Sequence, residues 1–291
     1  MVPACCPDPV AAALARKART GAPGVAQGRT LAAGEGWRVD DIVCSCGPAD
    51  RPFEERVSWA SISLVLSGTF VCRTSQGSSL FSAGSLFLLN AGQAFECSHQ
   101  HGEGDRCLSF KYEPGLFERL AHEAGASSAT FPAHRLPPLR ALAQPTARAQ
   151  LALVRNEAFE DAALELAGAV VEVAGEARRG SATPARHHGR VTRTLRHLAA
   201  HVGEPHSIAD LARLADLSPY HFLRTFKAVT GVTPHQWLLR ARLRDAARRL
   251  SGTREPVTSI ALEAGFEDLS NFIRSFRAEF GLSPQRYRAA A

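Results

Sequence analysis

Two stretches near the C-terminus of this 291-residue chain repeat each other, and a duplicated unit of this length constrains the fold more than any other feature of the sequence. The stretch LARLADLSPYHFLRTFKAVTGVTP (211–234) recurs as IALEAGFEDLSNFIRSFRAEFGLSP (260–284). Leu211, Ala212, Ala215 and Leu217 correspond to Ile260, Ala261, Ala264 and Phe266. After one extra turn residue in the second copy, Phe222, Arg224, Phe226, Lys227, Gly231 and Pro234 correspond to Phe272, Arg274, Phe276, Arg277, Gly281 and Pro284.

Each copy reads as a short helix, a turn and a second helix. Paired alanines on the first helix permit close approach by a neighbour. Ser218 with Pro219, and Asp268 in the second copy, supply the cap that starts the second helix. Within that helix Phe222/Phe226 and Phe272/Phe276 lie four apart and face a core, which turns Arg224 and Arg274 outward. Gly231 and Gly281 end the helices, and Thr233-Pro234 and Ser283-Pro284 start the next ones. This is a helix-turn-helix, made twice, with its second helix free to enter a major groove. Between the copies, Pro234–Leu250 predicts a helix about 25 Å long. A stiff spacer of that size suits two recognition helices reading groove faces ~34 Å apart.

Charge supports the same assignment once it is resolved along the chain. The formal net charge is only +6. From Arg186 to the end, however, 17 Lys and Arg stand against 9 Asp and Glu, a local +8, which leaves −2 for residues 1–185. Only the last third has the electrostatic footprint of a nucleic-acid binder. All seven cysteines lie in the other part.

Upstream, residues 1–30 are rich in Ala, Pro and Gly and predict a disordered tail with one short helix around Val10–Arg19. Their apolar stretch is interrupted by Pro7, Asp8 and Pro9, and the basic residues follow it, the wrong order for a secretory signal. No apolar run is long enough for a transmembrane helix, so the expected compartment is the cytoplasm, without a membrane partner. From Trp37 to Tyr112 short apolar runs are separated by Gly68, Gly77, Gly84 and Gly92, the texture of a small barrel or sandwich. Helix patterning follows at Leu116–Ala124 and over Thr146–Arg179, whose apolar stripe needs a partner, either the β domain's flank or a second copy in a homodimer. The predicted class is α+β. A sensor-like β domain with flanking helices spans 31–180, a linker 181–189, and an all-α domain with two helix-turn-helix motifs 190–291.

The two helix-turn-helix units, the RTFKAVTGVTP and RSFRAEFGLSP segments and the intervening RARLRDAARRL helix resemble the AraC/XylS family of bacterial transcription regulators over about residues 190–288. LVLSGTF, FSAGSLFLLNAGQ and GDRCLSF are similar to the cupin-like β-barrel sensor domains that precede this module in many members. The resemblance implies double-stranded operator DNA and RNA polymerase as partners, a small-molecule effector for the barrel, and no catalytic residues. Carried over position by position, it places Tyr220, Leu223 and Arg224 of the first recognition helix, and Leu269, Ser270, Ile273 and Arg274 of the second, against bases. Arg224 and Arg274 are each able to grip a guanine with two hydrogen bonds, whereas Leu269 and Ile273 can only touch thymine methyls. Ser218, His221, Thr225, Lys227, Asn271 and Arg277 are expected on phosphates, and Arg242, Arg244 and Arg248 on a solvated helix face.

In FECSHQHGEGDRCLSF (95–110), Cys97, His99 and His101 alternate with period two, so on a strand they share one face, and the GEGD turn lets a returning strand bring Cys107 beside them. Cys44-Ser45-Cys46 is another such pair, while Cys5-Cys6 on the tail reads as incidental. Sulfur with imidazole suits zinc or another thiophilic metal, and thiols are equally at home as buried barrel residues or as redox groups. A metal- or thiol-responsive regulator is therefore the alternative to a small-molecule sensor. Enzyme readings fail on spacing. Glu103 follows His101 after one residue, not the three or four of a cupin oxygenase, and neither the cysteine spacings of an Ada-like repair protein nor an HExxH motif, phosphate loop or nucleophile elbow is present.

Overall fold

A computed structural model of the protein describes residues 8–176 and 187–290. It opens with helix α1 (Pro9–Thr20), capped by the Asp8 carboxylate, which accepts from Val10 N at 3.1 Å. Nine antiparallel strands follow: β1 (Ala26–Gly34), β2 (Trp37–Cys44), β3 (Phe53–Arg56), β4 (Ala60–Thr74), β5 (Gly77–Ser82), β6 (Leu86–Leu89), β7 (Ala94–Ser98), β8 (Asp105–Tyr112) and the short β9 (Arg135–Leu136). β4 builds the barrel because it is long enough to serve two sheets. Its first half pairs with β8 and β6, a bulge between Val65 and Ser67 bends it, and its second half pairs with β5 and β7. At the bend Gly68 has φ +80, and a Cβ there would collide with the Gly104 carbonyl, so only glycine fits.

The short helix expected around Val10–Arg19 is present as α1, and the rest of the expected disordered tail is corrected from residue 8 onward. β1 pairs along its length with β2, a partner that a composition rich in Ala and Gly does not announce, and α1 buries Val10. Cys5 and Cys6, and linker residues 181–186, lie outside the described residues. Gly189, assigned to the linker, sits inside α5 (His188–Ala200).

Helix α2 (Pro114–Glu123) and the pair α3 (Ala143–Arg155) and α4 (Phe159–Glu176) flank the sheet. Over 146–176 the predicted stripe is two helices, broken where Asn156 (φ 57) and Ala158 (φ 55) leave helical backbone, and its last residues, 177–179, lie outside the described residues. Its partner is internal. Ala163, Leu166 and Val170 are buried with Ile62, Leu108 and Phe110, and the Tyr112 hydroxyl donates to the Ala163 carbonyl at 2.7 Å. Val154, an apolar residue of α3 within the same stretch, is exposed instead.

The C-terminal domain comprises α5, α6 (Ile208–Leu214), α7 (Pro219–Thr230), α8 (Pro234–Gly252), α9 (Val257–Glu263), α10 (Leu269–Phe280) and α11 (Pro284–Ala290). It has two small cores strung on α8. Trp237 packs with Phe222 and Phe226, while Leu243, Ala246 and Leu250 pack with Phe272 and Phe276. No helix among the described residues is long and apolar enough to cross a membrane.

The barrel touches both helix-turn-helix units. Leu80 of β5 completes the first core, and Ala147 of α3 joins the second. Trp237 Nε1 donates to Ser82 Oγ at 3.3 Å, Arg244 to the Ala83 carbonyl at 3.3 Å and Arg135 to the Thr230 carbonyl at 3.0 Å. A cleft of about 980 Å³ runs along this junction, lined among others by Leu66, Ser82, Leu195, Trp237 and Arg244.

Candidate nucleic-acid interface

Helices α7 and α10 are built alike for the same physical reason. Each has a phenylalanine pair four residues apart, Phe222/Phe226 and Phe272/Phe276, with no accessible surface, at ring separations of 5.6 and 5.5 Å. Burying those rings fixes the rotation of each helix about its axis, and the opposite face is left in water. Glycines at φ +83 and +75, Gly231 and Gly281, end both helices in the left-handed conformation, with their N–H groups donating to the carbonyls of Lys227 and Arg277.

The outward face carries the residues expected there. Tyr220, Leu223, Arg224, Leu269, Ser270, Ile273 and Arg274 are all exposed, as are Ser218, His221, Lys227, Asn271 and Arg277; Thr225 is half-buried. Four of the eight exposed large hydrophobics among the described residues, Tyr220, Leu223, Leu269 and Ile273, sit on these two faces. The Arg224 guanidinium lies 5.6 Å from the Tyr220 ring centroid, a cation–π contact within the same helix face. Arg274 Nη2 donates to Asn271 Oδ1 at 3.2 Å.

The two copies differ at their caps. Asp268 accepts from the N–H groups of Ser270 and Asn271 at 3.1 and 2.8 Å, whereas Ser218 occupies the cap position without a side-chain hydrogen bond. The Thr233–Gln236 capping box starts α8.

Two of the arginines expected on a solvated face of α8 are structural instead. Arg242 donates to the carbonyls of Val202 and Gly265 at 3.0 and 2.8 Å and of Glu204 at 2.8 Å, tying the α5–α6 loop to the turn of the second unit. Arg244 is held at the barrel junction, where burial pushes its guanidinium down to about 10. Helical periodicity could not separate these arginines from Arg248, which stays exposed beside Asp245 at 2.6 Å, because the surface that covers them comes from distant segments.

With this geometry in place, comparison with known proteins is direct. Residues 211–290 match a family profile described as a helix-turn-helix domain, and residues 45–183 match one described as an AraC-like ligand binding domain. The chain belongs to the AraC family. Its relatives include the probable transcriptional regulator LumQ of Photobacterium leiognathi, 35% identical over 32% of this chain and 37% of LumQ. The regulatory protein PocR of Salmonella typhimurium is 32% identical over 39% of this chain and 37% of PocR. This AraC-family chain thus spans little more than a third of those relatives' length in the matched stretch. Among solved structures, the DNA-binding domain of AdpA in complex with a target DNA is 32% identical, covering 35% of this chain and 91% of that one at a TM-score of 0.34.

The ligand-binding domain disperses the four metal-ligand candidates. β7 ends at Ser98, so His99 and His101 lie beyond the strand and the period-two argument stops at Cys97. Cys97 faces Cys72 across the β4–β7 ladder, His101 is exposed against α5, and Cys107 is buried with its thiol 3.6 Å from Asp105 Oδ2. Burial pushes the Cys107 thiol well up, and the neighbouring Cys72 does the same for Cys97, which disfavours a reactive thiolate at either. The barrel interior around them is filled by Phe70 stacked on Phe81 at 5.1 Å and Phe81 against Phe87 at 4.8 Å. What the fold does assemble is Cys44, Cys46 and His99, with one ligand atom from each within 4.8 Å of the others. Spacing within 95–110 could not reveal this group, because two of its members come from β2 and the loop after it.

Proposed function

We propose that this AraC-family chain is a sequence-specific, double-stranded DNA-binding transcription regulator, not an enzyme, acting in the cytoplasm with RNA polymerase as its protein partner. Its barrel would receive a small-molecule signal, and it would work as a homodimer. The observation that carries the reading is the matched pair of outward faces on α7 and α10, each with an arginine among exposed apolar residues on a helix whose opposite side is locked by buried phenylalanines.

In this reading Arg224 and Arg274 read guanine edges, Leu223, Leu269 and Ile273 meet thymine methyls, and Tyr220 and Ser270 complete the base contacts. Ser218, His221, Thr225, Lys227 and Arg277 position the module on phosphates. Asn271 joins them through its amide NH2, the group that donates to a phosphate, while its Oδ1 accepts from Arg274. Neutralising phosphates with a +8 domain makes binding steeply salt-dependent. A small molecule in the junction cleft would bear on the barrel and α8 together, a direct route from signal to reading head.

Selection of bound sequences from a random duplex library tests this. Arg274→Ala is expected to relax preference at one or two positions, at about 1–3 kcal/mol of discrimination. Lys227→Ala is expected to weaken all sequences alike and lower the salt slope by about one. Equal, sequence-independent losses in both variants would remove base reading from Arg274.

A further inference from the structure

The geometry points to a buried site for a thiophilic metal ion, zinc or copper(I), held by the sulfurs of Cys44 and Cys46 and by His99 Nδ1.

Cys44 ends β2, Cys46 follows two residues later, and His99 begins the loop between β7 and β8. All three are buried, at 2%, 4% and 5% exposure, and their ligand atoms converge within 4.8 Å. The second observation is independent of that convergence. His99 Nε2 is engaged by Asp105 Oδ1 at 2.5 Å, and Nδ1, shielded from solvent, has no hydrogen-bond partner among the described residues. A buried ring nitrogen left unsatisfied loses the hydrogen bond it would make in water, and a metal ion on Nδ1 restores a partner to it. A carboxylate on the far nitrogen is also the arrangement that orients a ligating imidazole and raises its basicity.

The surroundings hold the cysteine loop in one shape. Cys46 N lies 3.4 Å from Cys44 Sγ, a donor suited to a metal-bound sulfur. Asp50 accepts from the backbone N–H groups of Gly24 and Gly47, both at 2.7 Å, and pairs with Lys17 of α1 at 2.5 Å. Lys17 also donates to the Ser45 carbonyl at 3.2 Å. Helix α1 thereby covers the loop that carries both sulfurs. Two soft sulfurs and one nitrogen in a dry pocket select a d10 ion over magnesium or calcium, which require oxygen donors. Loading is balanced by proton release: a Zn²⁺ ion displaces the two thiol protons, forms two metal–sulfur bonds and one metal–nitrogen bond, and leaves the site neutral apart from Asp105.

The test uses the full-length protein under anaerobic conditions. Zinc, copper(I) and, as an optical probe, cobalt(II) are each titrated in competition with a chromophoric chelator. The expected result is one equivalent of zinc or copper(I) per chain, about two protons released with zinc, and a thiolate-to-cobalt charge-transfer band. Cys46→Ser and His99→Gln should lose the equivalent by at least about tenfold in affinity, with His101→Ala retaining it and circular dichroism confirming the fold of each. Failure of the wild type to hold either metal against the chelator, no charge-transfer band with cobalt, or retention by both ligand variants would overturn the site. The wild-type arms decide the matter even where a variant fails to fold.

Discussion

Replacing Arg242 tests whether the two helix-turn-helix units are held in register by a side chain that faces no DNA. Its guanidinium donates to three carbonyls at 3.0, 2.8 and 2.8 Å, from the α5–α6 loop on one side and the turn before α10 on the other. Hydrogen bonds from a charged donor contribute about 1.5–3 kcal/mol each when buried, but Arg242 is only half-buried and water can rescue the abandoned carbonyls. About 1 kcal/mol per bond is the appropriate figure, so Arg242→Met, which keeps the aliphatic stem, should cost roughly 3 kcal/mol. Arg242→Lys should recover about a third of that, because a point charge cannot serve three acceptors in fork geometry. Urea denaturation followed by circular dichroism reads the stability. The sharper readout is DNA binding: affinity for a selected site with both half-sites should fall on the order of tenfold, about 1.4 kcal/mol, while affinity for a single half-site stays unchanged. A cost below ~0.5 kcal/mol in Arg242→Met, or equal losses on full and half-sites, would refute the claim that this arginine sets the spacing between recognition helices.

Asp268→Ala should destabilise by about 1 kcal/mol, and Ser218→Ala by almost nothing, since only Asp268 bonds its helix N-terminus; chemical denaturation of each variant separates the two. Gly231→Ala should cost more than the ~1 kcal/mol of forcing φ +83, because its Cβ would lie 2.6 Å from Pro137 of the barrel. Its thermal midpoint should therefore fall further than that of an alanine placed at an unobstructed left-handed glycine such as Gly92. His134 is buried, with its ring pushed down to about 4 by desolvation and by Arg135. An unfolded chain takes up that proton near pH 6.5 and the folded chain only near 4, so stability is full above about 6.5 and declines as pH falls toward 4, by up to roughly 3 kcal/mol. Urea midpoints measured from pH 4 to 7.5 should show this slope in the wild type and a flatter one in His134→Gln.

The C-terminal half was legible because its signals are local and occur twice. Phe222/Phe226 and Phe272/Phe276 at helical spacing, a proline or acidic cap before each recognition helix and a glycine after it fix the helices, and fixing the helices fixes which side chains face out. The barrel was legible as texture but not as pairing. No local pattern reveals that β4 serves two sheets or that β1 pairs with β2, because an antiparallel register is decided by the partner strand as much as by the strand itself.

The sequence by itself determined the duplicated reading unit, its outward residues and the concentration of positive charge upon it, all properties of one helix at a time. Only the tertiary structure decided which arginines of α8 stay in solvent and which are struts, since Arg242 and Arg244 have the same helical surroundings in sequence as Arg248 and differ in what lies across from them. It likewise moved the metal-ligand candidates from a period-two run in 97–107 to Cys44, Cys46 and His99. A ligand set depends on distances between side chains, and distances between residues 44 and 99 exist only once the barrel has closed.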